Sequence, residues 1–382
     1  ANSVAVGYGA LTANTTGAGN VAVGMESLVN NTTAAFNTAL GFETLKTNTT
    51  GDNNVALGYQ ALRLNVAGDR SVAIGVQALD AQNPSGNVDM YNTAVGFAAG
   101  TLVTTGVNNT LIGALVGDKI TTGQNNVAVG VSSLTENITG GSNTAVGKFA
   151  LRVNTASNNT GVGQDAGAAI STGTSNVCIG SLAGDGVNTG FSNVIIGHNA
   201  ASADVILGDG DENVILGGNT FTTAVNTDGA NIIGYNVAGA AGYTTLGLAG
   251  ADIRAAHGNV TWATVSDQRY KKDIVNSTAG LAFINDLTPR TFKYKNLGEL
   301  PETFSAYKAD STDVFKNSNI NHGFIAQEVK IAIDAHSELK DGFKLWDERD
   351  DGGQEVAESA LIPILVKAIQ ELSEKIAALE AK

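Results

Sequence analysis

Asn54-Val55-Ala56-Leu57-Gly58-Tyr59-Gln60-Ala61-Leu62 is one copy of a unit that recurs through residues 1–200. Aligned on its glycine, the unit returns at Gly7, Gly24, Gly41, Gly58, Gly75, Gly96, Gly113, Gly130, Gly147, Gly163, Gly180 and Gly197, in steps of 17 residues with one step of 21 and one of 16. A fixed period of this size marks an array in which each unit buries its apolar face only against its neighbours. Alternate residues of a strand face opposite sides, so Val21 and Val23 point one way and Ala22 the other. The branched face, with Leu28, Leu45, Leu62, Leu79 and Leu151, is expected to fill a narrow interior, and the alanine face to admit another chain. The glycine permits a sharp corner, and Asn48-Thr49-Thr50-Gly51-Asp52 is turn chemistry. Asn20, Asn37, Asn54, Asn92, Asn109, Asn126, Asn143, Asn159, Asn176 and Asn193 hold one register before the strand. Stacked amides in that register predict a ladder that satisfies backbone groups at the corners. Fourteen such rungs at about 4.8 Å each would span roughly 65 to 70 Å.

Composition agrees with a thin repetitive architecture rather than a thick core. The 382 residues include 47 glycines and few aromatics, and the formal charge is -14. With no cluster of Lys and Arg to neutralise phosphates, nucleic acid is not an expected partner. No apolar run is long enough to span a bilayer, and Ala1-Asn2-Ser3-Val4 has no basic start followed by an apolar core, so membrane insertion is not expected. The chain opens inside a repeat, which predicts a fragment or a mature form. Cys178 stands where most rungs carry Ala and reads as a small buried side chain. Beyond Gly197 the spacing becomes irregular, with Gly208 and Gly217 preceding Gly234 and Gly247, and a change of cross-section is expected over 201–250, followed by a neck over 251–265. Asp204, Asp209, Asp211 and Glu212 cluster there, loosely like the aspartate-bearing turns of calcium-binding β-rolls. One such turn without tandem copies reads as solvated, and no cofactor or metal is expected.

At Val265/Ser266 the physics changes. Only 23 of the first 265 residues are Asp, Glu, Lys or Arg, against 35 of the last 117. Residues 266–382 read as a small α/β domain, with strand signal around Phe292-Lys293-Tyr294 and helical signal around Gly323-Phe324-Ile325-Ala326-Gln327-Glu328-Val329. The end is a helix in which Ile362, Leu365, Ile369, Leu372, Ile376 and Leu379 recur at alternating steps of three and four, the spacing of a coiled-coil seam. The fold class is therefore mainly β: a parallel β-roll or β-solenoid shaft, expected as a homotrimer, followed by an α/β domain closing on a trimeric coiled coil.

Two resemblances sharpen this reading. The repeats resemble the head repeats of trimeric autotransporter adhesins and of many phage tail fibres. Four ordered motifs, Ser266-Asp267-x-Arg269-x-Lys271-Lys272-x-Ile274, Leu287-x-Pro289-x-x-Phe292-x-Tyr294, Gly323 to Val329, and Leu365-Val366-Lys367-Ala368-Ile369-Gln370-Glu371-Leu372, resemble the C-terminal intramolecular chaperone of endosialidase tailspikes and related phage fibres. That resemblance implies a domain that trimerises, templates the β-rich part, and cuts itself off between Val265 and Ser266. Carried over by position, Ser266 is the nucleophile and Lys271 its general base. A lysine serves only as the neutral amine, so its ordinary pKa of about 10.4 must be lowered by burial or a neighbouring cation. Asp267 and Arg269 read as orienting or structural residues, and His322 as structural or an auxiliary to cleavage.

The function these expectations support is a receptor-binding tail fibre or tailspike segment of a phage or phage-like particle, assembled in the host cytoplasm and extracellular when working. Its partners would be two further copies of the chain and a bacterial surface receptor, a glycan or an outer-surface protein. A polysaccharide depolymerase would need a pair of carboxylates about 5 to 9.5 Å apart, whereas Asp52 and Asp69 recur one per rung at loop positions. A trimeric surface adhesin should end in a membrane-anchoring barrel, which residues 266–382 do not resemble.

Overall fold

The computed structural model describes residues 2–202, 207–249, 251–259, 263–264, 266–340, 343–349 and 351–381. The chain divides into two units, Ala1–Val265 and Ser266–Lys382.

The first unit is a solenoid. Each repeat contributes one three-residue strand, and each strand pairs in parallel with the next in chain order: Val4–Val6 on Val21–Val23, Val21–Val23 on Thr38–Leu40, and Thr38–Leu40 on Val55–Leu57. Register is residue for residue, Ala39 opposite Ala56 and Leu40 opposite Leu57. The ladder does not stop where the spacing becomes irregular. Val194–Ile196 pairs with Val214–Leu216, that strand with Asn231–Tyr235, and that with Tyr243–Leu248. Gly217 therefore follows its strand as the earlier glycines do, Gly234 and Gly247 face each other within theirs, and Gly208 bridges to Val187 elsewhere on the coil. Rung length varies, and the last two parallel strands lengthen to five and six residues. The parallel ladder ends at Tyr243–Leu248, on which Ala251–Ala256 packs antiparallel, with Ala263–Thr264 antiparallel to that in turn.

The two faces of the strand are the reverse of the expectation. Ala22, Ala39, Ala56 and Ala73 are fully buried inside the coil, with Leu28, Leu45, Leu62 and Leu79. Val21, Leu40, Val55 and Leu57 remain about two-fifths exposed on the outside. The reason is volume. The interior is about one side chain thick, and the leucine four residues after the glycine fills it from the opposite wall, leaving room on the strand for a methyl group. The alanine face is thus the coil's own core and cannot receive another chain; the branched face is the one left open.

Those leucines reach inward at a cost. Leu28, Leu45, Leu62, Leu79, Leu134 and Leu151 have φ between 49° and 55°, a left-handed conformation that costs an L-residue roughly 1–2 kcal/mol. Four rungs avoid it with glycine at the same place: Gly100, Gly117, Gly167 and Gly184, with φ from 51° to 67°. In these rungs Val103, Ile120, Ile170 and Val187 are buried three residues further on, where leucine rungs carry Asn or Gln. A Cβ on Gly117 would lie 2.7 Å from Ile120 Cδ1, and one on Gly100 2.6 Å from Leu111 Cδ1. Two rung types fill the same space from different positions.

Corner and ladder appear as the residue pattern predicts. Gly24 has φ 134°, and a Cβ there would sit 2.2 Å from the Gly41 carbonyl oxygen of the next rung. Asn37 N donates to Asn20 Oδ1 at 2.9 Å, and Asn37 Nδ2 donates to Gly51 O at 2.9 Å. Asn54 repeats both bonds one rung on, to Asn37 Oδ1 and Gly68 O. Cys178 is fully buried in the strand position of alanine, and burial pushes its thiol up to about 12.

Among the described residues the second unit has three α-helices, α1 (Leu281–Asp286), α2 (Ala326–Ala335) and α3 (Ile362–Glu380). Two antiparallel pairs complete it, Arg290–Phe292 with Asn321–Gly323 and Trp346–Glu348 with Gln354–Val356. Strand signal at 292–294 is thus realised only up to Phe292, and Gly323 of the helical motif belongs to a strand, with α2 starting at Ala326. Phe283, Val329, Ile333, Leu345, Leu361 and Ile364 form the core. Glu371 of α3 accepts from Leu281 N at 2.9 Å, satisfying a free donor at the start of α1.

Candidate functional site

Ser266 opens the second unit in irregular backbone and is exposed, as is Lys271. Between them Gln268–Tyr270 forms a single 3-10 turn that begins at Asp267 and closes at Lys271. The turn reverses the chain, and Lys271 Nζ donates to Ser266 Oγ at 2.8 Å. A hydroxyl within hydrogen-bond reach of an amine is the geometry of an activated nucleophile and its base. Asp267 is paired with Arg269 instead: its carboxylate accepts from Arg269 N at 2.8 Å and from the Arg269 guanidinium. That guanidinium, followed by the Arg269 backbone N–H, holds the Asp267 carboxyl below its ordinary range. Val265, the other side of the expected scissile bond, lies outside the described residues.

His322 is brought elsewhere. It is exposed in the strand Asn321–Gly323, opposite Thr291. It lines a half-open groove of about 940 Å³ with Phe292, Tyr294 and Phe315, and neither Ser266 nor Lys271 is part of that lining.

In the acidic cluster, Asp211 is taken up by backbone and Asp209 by a hydroxyl. Asp211 Oδ1 accepts from Phe191 N at 2.8 Å, and Asp211 N donates to Asp228 Oδ1 at 2.9 Å. Asp209 accepts from the Thr189 hydroxyl and donates its N–H to Asn226 Oδ1. Glu212 N donates to Phe191 O. Asp204 lies outside the described residues. Among the described residues no group of His, Cys, Asp or Glu is arranged to hold a metal ion. Loop acids do the same work in earlier rungs: Asp52 accepts from Ala35 N at 2.6 Å and Asp69 from Asp52 N at 2.7 Å. This capping by loop carboxylates was not read from the sequence, although their recurrence one per rung was its signal.

Both units carry exposed apolar side chains. On α3, Ile362, Leu365, Ile369, Leu372, Ile376 and Leu379 are all exposed, between 41% and 70%. They are the seam positions read from the sequence. Among the described residues no helix is long and apolar enough to cross a membrane.

Residues 266–337 match the family model described as chaperone of endosialidase. No curated protein and no solved structure matches the chain. The matched stretch opens the second unit and begins at the serine that Lys271 contacts.

Proposed function

We propose that this chain is a segment of a trimeric tail fibre or tailspike, folded by its C-terminal unit, which then cuts the chain between Val265 and Ser266. The observation that carries the reading is the 2.8 Å contact from Lys271 Nζ to Ser266 Oγ at the first residue of the chaperone-type segment. In the step proposed, Lys271 takes the Ser266 proton while Oγ attacks the Val265 carbonyl carbon. The peptide C–N bond breaks, its nitrogen takes the proton, and water hydrolyses the resulting ester, leaving a carboxylate on Val265 and a free Ser266 amine.

Lys271 is exposed on the single chain, so the water exclusion that a neutral amine requires is assigned to the assembled trimer. Cutting would then wait for assembly. Two apolar surfaces support three copies: the outward Val and Leu ladder of the solenoid and the α3 seam. Burial of such surface yields roughly 25 cal/mol per Å². The solenoid would attach a phage or phage-like particle to a bacterial surface receptor, a glycan or an outer-surface protein, through its loops.

Denaturing mass analysis of the expressed protein tests the central claim. Wild type is expected to release a fragment that begins at Ser266 and ends at Lys382, with Ser266→Ala and Lys271→Ala staying whole. Equal cutting in all three would defeat the assignment.

A further inference from the structure

Ser266 and Lys271 are five residues apart, about 16 Å along an extended chain at roughly 3.3 Å per residue, far beyond a lysine's reach. Their contact exists because the chain folds back between them. The turn that does so, Gln268–Tyr270, is one turn long, and none of its residues is buried. Its backbone bonds are few: Tyr270 N donates to Asp267 O at 3.1 Å and Lys271 N to Gln268 O at 3.0 Å. Packing therefore does not hold it, and an isolated turn of this length is unstable in water.

Asp267 holds it. With φ −66° and ψ 135° it stands as the N-cap, and Oδ1 accepts from Arg269 N at 2.8 Å. Arg269 Nε lies 3.1 Å from both carboxylate oxygens and Nη2 2.6 Å from Oδ2. One carboxylate thus ties the start of the turn to the backbone and side chain two residues on. The same clamp occupies both oxygens, so Lys271 Nζ is left on Ser266 Oγ rather than on the adjacent carboxylate.

We propose that Asp267, clamped by Arg269, is a positioning residue for self-cleavage: it closes the turn that carries Lys271 back to Ser266. This rests on Ser266 and Lys271 acting as nucleophile and base, as proposed above. Asp267 touches neither reacting atom and acts only through the turn, where a misplacement of an ångström is enough to slow a reaction.

The test refolds the full chain from denaturant and follows release of the fragment starting at Ser266. Wild type is compared with Asp267→Asn, Asp267→Ala, Ser266→Ala and Lys271→Ala, with the melting of the C-terminal unit recorded for each. Asparagine is as good an N-cap as aspartate, so Asp267→Asn is expected within about threefold of the wild-type rate and Asp267→Ala at least about tenfold slower, with melting unchanged. Slowed cutting in Asp267→Ala with unchanged melting is what a general loss of stability would not produce. A wild-type rate in Asp267→Ala overturns the proposal, as does equal slowing by Asn and Ala. Should the alanine variant fail to fold, Arg269→Ala replaces it, which releases the clamp on the Asp267 carboxylate; a rate below wild type supports the proposal and a wild-type rate overturns it. If Ser266→Ala and Lys271→Ala cut normally, the nucleophile and base assignment fails first, whatever Asp267 does.

Discussion

Asn54 is fully buried and makes three bonds that join adjacent rungs: its N–H to Asn37 Oδ1, its Nδ2 to Gly68 O, and its Oδ1 from Ser71 N at 2.9 Å. Asn54→Ala would leave the buried Ser71 N–H unpaired, at about 1–3 kcal/mol, while Gly68 O keeps its bond from Asn65 Nδ2. The expected outcome is a solenoid unit that unfolds at clearly lower guanidinium concentration, measured on the released product. Gly58 is constrained differently, because at φ 129° an added Cβ would lie 2.6 Å from Gly75 O. Both residue types are legible in the sequence, since their position never changes relative to the strand. The left-handed leucines are not legible. Nothing in Leu62 announces φ 51°; the hint is that Gly100, Gly117, Gly167 and Gly184 occupy the equivalent place, and glycine is the residue that takes that conformation without strain.

At the scale of elements, one histidine links α1 to α2 in the second unit. His336 caps the C-terminus of α2, and its Nε2 lies 2.8 Å from Asp286 Oδ2 at the end of α1, while Nδ1 lies 3.3 Å from Glu338. A neutral imidazole donates from one nitrogen only, so meeting both carboxylates requires the imidazolium. The bond to Asp286, with a smaller contribution from Glu338, raises the pKa of His336 from its ordinary 6.5 against the opposing effect of burial. A pKa raised on folding stabilises fully below the unfolded value and is lost as pH climbs through the folded one. The C-terminal unit is therefore expected to melt at lower temperature at pH 9 than at pH 6 (roughly spanning that window). His336→Gln should flatten the dependence; an unchanged slope in that variant would remove the latch from consideration. The helix seam on α3 was legible because heptad spacing is a property of chain order alone. The α1–α2 latch was not, since Asp286 and His336 are 50 residues apart.

For the whole molecule, a 17-residue repeat creates many near-equivalent registers, each displaced by one rung, and coils packed side by side would have to choose among them. A C-terminal nucleus that fixes register at one end would remove that ambiguity, and cutting it away afterwards would leave a product whose unfolding is slow. On the trimer reading, light scattering of the uncut Ser266→Ala protein is expected to give three times the 38.9 kDa of one chain. Leu57→Asp, on the outward face, should reduce that mass, whereas Thr50→Asp in the loop should not; a lone subunit in Ser266→Ala would sink the reading. The sequence by itself determined the repeat, its glycine corners, its asparagine register, the helix seam and the five-residue spacing of Ser266 and Lys271, because each is a periodicity or a local interval. Which strand face turns inward was decided only in three dimensions. Alternation separates valine from alanine but is indifferent to direction, and the choice depends on how much room the returning wall, with its left-handed leucine, leaves across the coil. The closeness of Lys271 to Ser266 was likewise decided by the folded turn, since the same interval in extended chain would hold them far apart.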